Sequence, residues 1–140
     1  MSPIRKALRS GGMFFFIPLL IGCGGGEEVI PSASRLSTDV QPIFTARCAL
    51  SGCHDSATRR AGLDLSEGNA YTNLVNVNSS QNASWKRVVP GSPQESLLYL
   101  KVSQDSPPVG GRMPPPPRSA LTAEQQDKIR DWILQGAQNN

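Results

Sequence analysis

The sequence predicts an all-α domain of three to four short helices that are joined by long loops. Apolar residues recur at helical spacing in several segments, whereas no segment alternates apolar and polar residues as a half-buried strand would. The 140 residues include 13 Gly and 12 Pro, which is typical of a loop-rich protein. Because long loops in a small domain are uncommon, we expect something besides regular structure to hold them.

The N-terminal segment combines a basic start with a short apolar run and a cysteine. Arg5, Lys6 and Arg9 precede nine apolar residues at 13–21, too few to span a bilayer but enough for the core of a secretory signal peptide. The run ends in Leu-Ile-Gly-Cys23, which resembles the lipobox of bacterial lipoproteins, where the cysteine is acylated and becomes the first mature residue. The alternative is a plain N-terminal anchor with an incidental cysteine.

This resemblance implies three parts of the chain: a lipoprotein signal peptide at 1–22, a flexible tether at 23–35 and a folded domain at 36–140. Lipidated Cys23 would then hold the chain stably on a membrane, since two or more acyl chains suffice for anchoring. We expect the domain in the periplasm or at the cell surface. Gly24 after the cysteine is not acidic, which favours the outer membrane.

The formal net charge of +3 depends on the same boundary. Arg5, Lys6 and Arg9 account for the whole excess of 14 basic over 11 acidic residues, so the mature chain is predicted to be neutral. A neutral chain has no electrostatic reason to bind nucleic acid, and no nucleic-acid partner is expected.

The first helix is predicted at 39–48. Ser37, Thr38 and Asp39 offer an N-cap, and Val40, Ile43, Phe44 and Cys48 follow at helical spacing. Pro42 is compatible with the helix only in its first turn. A sharp turn is expected at 51–52, where Ser is followed by Gly.

Three further helices are predicted downstream. Ser66 is a candidate cap for a short helix, and residues 92–95 read Ser-Pro-Gln-Glu, the pattern of a capping box with proline at the first helical position. Residues 122–125, Thr-Ala-Glu-Gln, form a second capping box before a last helix that Gly136 is expected to end. Residues 106–118 contain six prolines and are not expected to be helical.

Cys48 and Cys53, followed directly by His54, form the most informative motif. The sequence C-x-x-C-H attaches haem c, because two thiols form thioethers with the haem vinyl groups and the adjoining histidine reaches the iron. Here four residues separate the cysteines, and Ser51-Gly52 suits the bulge that the longer spacer needs. His54 is the only histidine in the chain, so its place after the second cysteine is unlikely to be accidental.

Two other interpretations of this motif stay open. A disulfide between Cys48 and Cys53 would close a small loop, which is reasonable chemistry for an exported protein, and His54 would then be an ordinary surface residue. A zinc site is less favoured because two cysteines and one histidine leave a fourth ligand missing.

Met113 is the only methionine outside the predicted signal peptide. A thioether is a good soft ligand for haem iron, and paired Met and His ligands raise the reduction potential. Residues 110–117, Gly-Gly-Arg-Met followed by four prolines, form a stiff strap that could present the sulfur to a metal. The alternative for the prolines is a polyproline II ligand for a signalling module.

Five motifs follow one another along the chain, at residues 40–54, 63–65, 88–99, 111–114 and 121–137. Their order resembles the cytochrome c-like domains of planctomycete and myxobacterial exported proteins and, more distantly, class I cytochromes c. The resemblance covers roughly residues 38–138. It implies a small all-α cytochrome c-like fold around one covalent haem c.

In this resemblance Cys48 and Cys53 hold the thioethers, His54 is the proximal iron ligand and Met113 the distal one. The last helix, with Trp132, is expected to pack against the first. Candidate partners for the haem propionates are the polar or charged side chains of Trp85, Lys86, Arg87 and Arg112. The alternative is that these four are solvated surface residues.

The sequence as a whole predicts a lipid-anchored monohaem c-type cytochrome that exchanges electrons with redox partner proteins. No constellation of acid, base or nucleophile indicates an enzyme. The alternative is a haem-free, disulfide-stapled surface lipoprotein that binds a protein or a glycan. A third hypothesis is a haem sensor or ligand-binding protein in which Met113 does not coordinate iron.

Overall fold

The computed structural model describes residues 33–140, and within this range the fold is helix-rich, with no strand or sheet. Four α-helices, two short 3₁₀ turns and one π-helical turn are joined by loops that contain only isolated bridges between single residues. The α-helices are α1 (Gln41–Arg47), α2 (Ala70–Leu74), α3 (Leu97–Ser103) and α4 (Ala123–Leu134). The predicted signal peptide, Cys23 and most of the tether lie outside the described residues.

The first helical segment begins earlier than predicted. A π-helical turn at Leu36–Val40 leads directly into α1, so Asp39 lies inside the helical segment and does not cap it. The Asp39 carboxylate instead accepts the backbone N–H of Arg35 at 2.9 Å, which satisfies a donor at the start of the turn. Pro42 lies in the first turn of α1, where its missing N–H costs little.

The capping box predicted at 92–95 does not form. Residues Pro93–Glu95 make a single 3₁₀ turn without a side-chain cap, and the extended backbone of Ser96 separates this turn from α3. The Ser96 hydroxyl explains the break, because it donates to the Ser92 carbonyl at 2.8 Å and accepts the N–H of Val89 at 2.9 Å. These bonds replace the helical ones.

Both predicted ends of α4 are confirmed. The Thr122 hydroxyl accepts the N–H of Gln125, and the Gln125 side chain accepts the N–H of Thr122, which is a complete capping box. Gly136 follows the helix with φ of +96°, a backbone conformation that glycine adopts without steric cost. Ala137 then donates its N–H to the Trp132 carbonyl at 2.9 Å.

The hydrophobic core contains residues from both ends of the described part of the chain. Helix α4 contacts both the Leu36–Val40 turn and α3, so the expected pairing of the last helix with the first helical segment is present. Phe44 and Trp132 lie fully buried in this core. Ser34 also binds α4, since its hydroxyl donates to the Lys128 carbonyl at 2.8 Å. None of the helices in residues 33–140 is long and apolar enough to cross a membrane.

Candidate cofactor site

A predominantly apolar cavity lies between the loop after α1, helix α3 and the proline-rich segment. Its empty volume is about 760 Å³, counted with its open mouth. Six aliphatic side chains line it, from Leu63, Leu65, Leu74, Leu97, Leu98 and Val102. Cys48, His54 and Met113 line the same cavity, although they are far apart in the sequence.

A smaller cleft adjoins the cavity and shares part of its wall. Cys48, Cys53, His54 and Met113 all line this cleft, together with Pro114 and Pro115. The four residues that the sequence predicts as haem-binding are therefore brought together in one place. The remaining lining side chains of the cleft are cationic and come from Arg47, Arg60 and Arg118.

The two cysteines are positioned by the end of α1 and the turn that follows it. Cys53 donates its backbone N–H to the Leu50 carbonyl at 2.9 Å, and His54 donates its own to the Cys48 carbonyl at 3.2 Å. Gly52 makes the expected turn with φ of +79°, and Ser51 and Gly52 are exposed, whereas Ala49 packs against the core. The turn therefore brings His54 back beside Cys48.

Both thiols are free in the structure, with no disulfide between Cys48 and Cys53. Burial raises the pKa of the Cys48 thiol to about 11, because an apolar environment disfavours the thiolate. At neutral pH this thiol is therefore protonated.

The His54 imidazole has a defined tautomer. Its Nδ1 atom lies 3.0 Å from the Arg60 carbonyl oxygen, and since a carbonyl can only accept, Nδ1 carries the proton. Burial lowers the pKa of His54, with the backbone carbonyls of Arg60 and Leu63 acting in the opposite direction. The neutral ring then has its lone pair on Nε2, the form in which histidine binds metals.

Met113 is held by α3. Its backbone N–H donates to the Lys101 carbonyl at 2.7 Å, and the Lys101 ammonium donates to the Gly111 carbonyl at 3.3 Å. One residue of α3 therefore binds the strap on both sides of Arg112. Burial lowers the pKa of Lys101, which lies in the wall of the cavity.

The charged side chains of the cavity wall are cationic. Arg60, Arg87 and Lys101 line the cavity, and no carboxylate of residues 33–140 does. Of the four candidate propionate partners, only Arg87 lines it. Trp85 and Lys86 line a separate shallow groove.

Arg112, the fourth candidate, lines neither the cavity nor the adjoining cleft. Its Nε atom lies 3.5 Å from the Asp105 carboxylate, while its Nη1 atom is buried without a hydrogen-bond partner. Arg60 and Lys101 also line the cavity, and neither was predicted as a lining residue from the sequence. Lys101 falls in an apolar stretch of α3, and nothing in the sequence indicates that its ammonium points inward.

Within residues 33–140, no three His, Cys, Asp or Glu side chains come together as a metal-binding group. Comparisons of the chain with protein families, with curated proteins and with solved structures gave no match.

Proposed function

We propose that residues 36–140 form a cytochrome c-like domain that holds one haem c, and that the chain is a lipid-anchored electron-transfer protein. One observation carries the proposal: Cys48, Cys53, His54 and Met113 line a single cleft beside an apolar cavity. The sequence motif concerns only the first three of these residues. The fold adds Met113 from a distant loop.

The chemistry of the lining residues fits a haem. Aliphatic walls suit the porphyrin, the neutral His54 imidazole and the Met113 thioether are both ligands of haem iron, and the Cys48 and Cys53 thiols are not bridged by a disulfide, as thioether formation requires. The cations of Arg87 and Lys101 suit the propionates, which need a positive or polar partner away from water.

In this proposal Cys48 and Cys53 would hold the haem through thioethers, His54 and Met113 would bind its iron, and Cys23 would carry the lipid. Bound haem supplies a one-electron couple between ferrous and ferric iron. The chain's own residues set the conditions for that couple. The leucines of the cavity wall exclude water, the Arg60 carbonyl orients the imidazole, and Lys101 holds the strap that carries Met113.

Covalent haem is tested by expressing the full precursor in a strain with haem-ligation machinery. We expect a Soret band that survives acid–acetone extraction, and its loss in the variant that combines Cys48→Ser with Cys53→Ser. Cys23→Ser is the matched control, since it removes the third cysteine and should abolish membrane association while leaving the Soret band intact. A wild-type protein without haem, with a mass lower by two hydrogens, would contradict the proposal and support the disulfide-stapled binding module.

Axial ligation by Met113 is tested separately, in the variant Met113→Leu. We expect the far-red charge-transfer band of the ferric protein to disappear and the reduction potential to fall, because the thioether favours ferrous iron. Arg118→Gln is the control, since Arg118 lines the same cleft but has no ligand atom. A wild-type protein with haem but without that band would support a haem sensor or ligand-binding protein instead.

A further inference from the structure

The loop at residues 59–62 has a strained backbone and forms part of the cavity wall. Arg59, Ala61 and Gly62 have φ values of +46°, +56° and +62°, and only glycine adopts such values readily. Between them, the Arg60 carbonyl accepts the His54 Nδ1–H at 3.0 Å and the Leu63 N–H at 3.3 Å. The bond that sets the histidine tautomer therefore depends on a loop that the local sequence does not favour.

Arg87, which also lines the cavity, binds this loop. Its Nη2 atom donates to the carbonyls of Ala61 and Gly62, at 3.1 Å each, and its Nη1 atom donates to the Asn73 carbonyl at 2.8 Å. The Ser80 hydroxyl donates to the Ala61 carbonyl as well. Arg87 forms no ion pair with another described residue, so its guanidinium serves three backbone carbonyls.

We propose that Arg87 is a positioning residue for His54: by holding the carbonyls of Ala61 and Gly62, it aims the Arg60 carbonyl at Nδ1. That hydrogen bond keeps the proton on Nδ1 and the lone pair on Nε2. The relevance of Nε2 to iron rests on the proposed function, whereas the effect of Arg87 on the imidazole does not. The planar guanidinium binds the loop carbonyls through Nη2 and the Asn73 carbonyl through Nη1, whereas a lysine ammonium has a single nitrogen and cannot span these positions in the same way.

The competing explanation is that Arg87 acts on His54 through its positive charge alone. Arg87 and Arg60 both line the cavity, and both lower the pKa of His54 through their positive charge. Two substitutions separate the explanations. Arg87→Lys keeps the charge and loses the fork. Arg60→Gln removes a charge from the same wall and leaves the Arg87 hydrogen bonds and the Arg60 backbone carbonyl in place.

The test is the rate at which the His54 Nδ1–H exchanges with water, measured by ¹⁵N NMR on the mature chain as purified and in the reduced state if haem is bound. The chain has one histidine, so the imidazole signal is unambiguous. We expect Arg87→Lys to speed exchange by at least about tenfold, the effect of losing roughly one net hydrogen bond, and Arg60→Gln to change it less than about twofold.

A folded Arg87→Lys variant with the wild-type rate would overturn the proposal, as would equal acceleration in Arg60→Gln. Circular dichroism shows whether each variant is folded. If Arg87→Lys does not fold, Ser80→Ala decides, since it removes the other side-chain donor to the Ala61 carbonyl. Faster exchange in Ser80→Ala supports the proposal and an unchanged rate overturns it. A chain without haem leaves this measurement valid, so the two proposals fail separately.

Discussion

The helical part of the molecule and the loops around the cavity are held together in different ways. The helical part comprises residues 36–47 and α4, and its inward side chains, such as Phe44, Trp132 and Ile133, are almost completely buried. In contrast, no residue at 48–62 is buried, and within 104–120 only Pro107 and Pro114 are. The apolar core of the protein thus lies almost entirely outside these loops.

The loops are held by hydrogen bonds from charged side chains to backbone carbonyls, since they contain almost no buried apolar residues. Arg47 donates to the Ser119 carbonyl at 2.9 Å, Lys101 to Gly111, and Arg87 to the 59–62 loop. The apolar side chains nearest to these loops line the cavity, and three of them, Leu65, Leu74 and Val102, also form part of the core behind it. Under the proposed function the haem would supply the missing apolar body, which explains why so small a domain can have such long loops.

The largest expected effect tests the helical part. Phe44→Ala removes a ring that is 0% exposed, and we expect the free energy of unfolding to fall by about 3–5 kcal/mol, from lost burial and the cavity that remains. Urea denaturation followed by circular dichroism measures the change.

Two leucines serve as comparisons for this variant. Leu134 on α4 is 45% exposed, and Leu134→Ala should change stability by less than about 0.5 kcal/mol. Leu50 lies in the loops and is partly exposed, so Leu50→Ala should cost at most about 1 kcal/mol. A cost for Leu50→Ala equal to that for Phe44→Ala would show that the loops contain a core of their own.

A smaller effect is expected at the start of α4. Thr122→Ala removes the capping box, and we expect it to lower the free energy of unfolding by about 1 kcal/mol. Ser92→Ala is the matched control, because the same pattern at 92–95 makes no side-chain cap and the Ser92 contact uses its backbone carbonyl. Equal losses in the two variants, measured by the same urea titration, would contradict this difference between the sites.

The two capping boxes also show how much of the fold could be predicted from the sequence. The box at Thr122 and the stop at Gly136 depend on neighbouring residues alone, and both were predicted. The box at Ser92 was predicted from the same local pattern but does not form. The Ser96 hydroxyl binds Val89 instead, and Val89 lies outside the pattern. The predicted start of the first helix was wrong, because the Asp39 carboxylate accepts the N–H of Arg35, four residues earlier, and does not cap the helix.

The residues of the candidate site also divide into those that the sequence predicts and those that it does not. Cys48, Cys53 and His54 form a local motif, and Met113 could be selected because it is the only methionine that follows the predicted signal peptide. Lys101 and the Arg60 carbonyl could not be selected. The first is a lysine within an apolar helix, and the second depends on the positive φ angles of its neighbours, which no residue type there indicates. Contacts made through the backbone leave little trace in a sequence.

The smallest expected effect concerns a buried carboxylate beside the loops. Asp64 is 2% exposed, and the N–H and hydroxyl of Ser66 hold the pKa of its carboxyl below the usual value of 3.8, with a contribution from Arg59 at 3.5 Å. A lowered native pKa stabilises the fold above about pH 4, and this stabilisation is lost as the pH falls through the native pKa.

Asp64→Asn keeps an oxygen that can accept from Ser66 and removes the charge. We therefore expect the stability difference between wild type and Asp64→Asn to shrink by roughly 0.5 kcal/mol as the pH falls from about 6 to about 3, a small change because the exposed Arg59 is screened by solvent. Urea titrations at the two pH values measure it. A difference that stays constant with pH would mean that the Asp64 charge contributes nothing, and that hydrogen bonds to neutral atoms alone hold this edge of the loops.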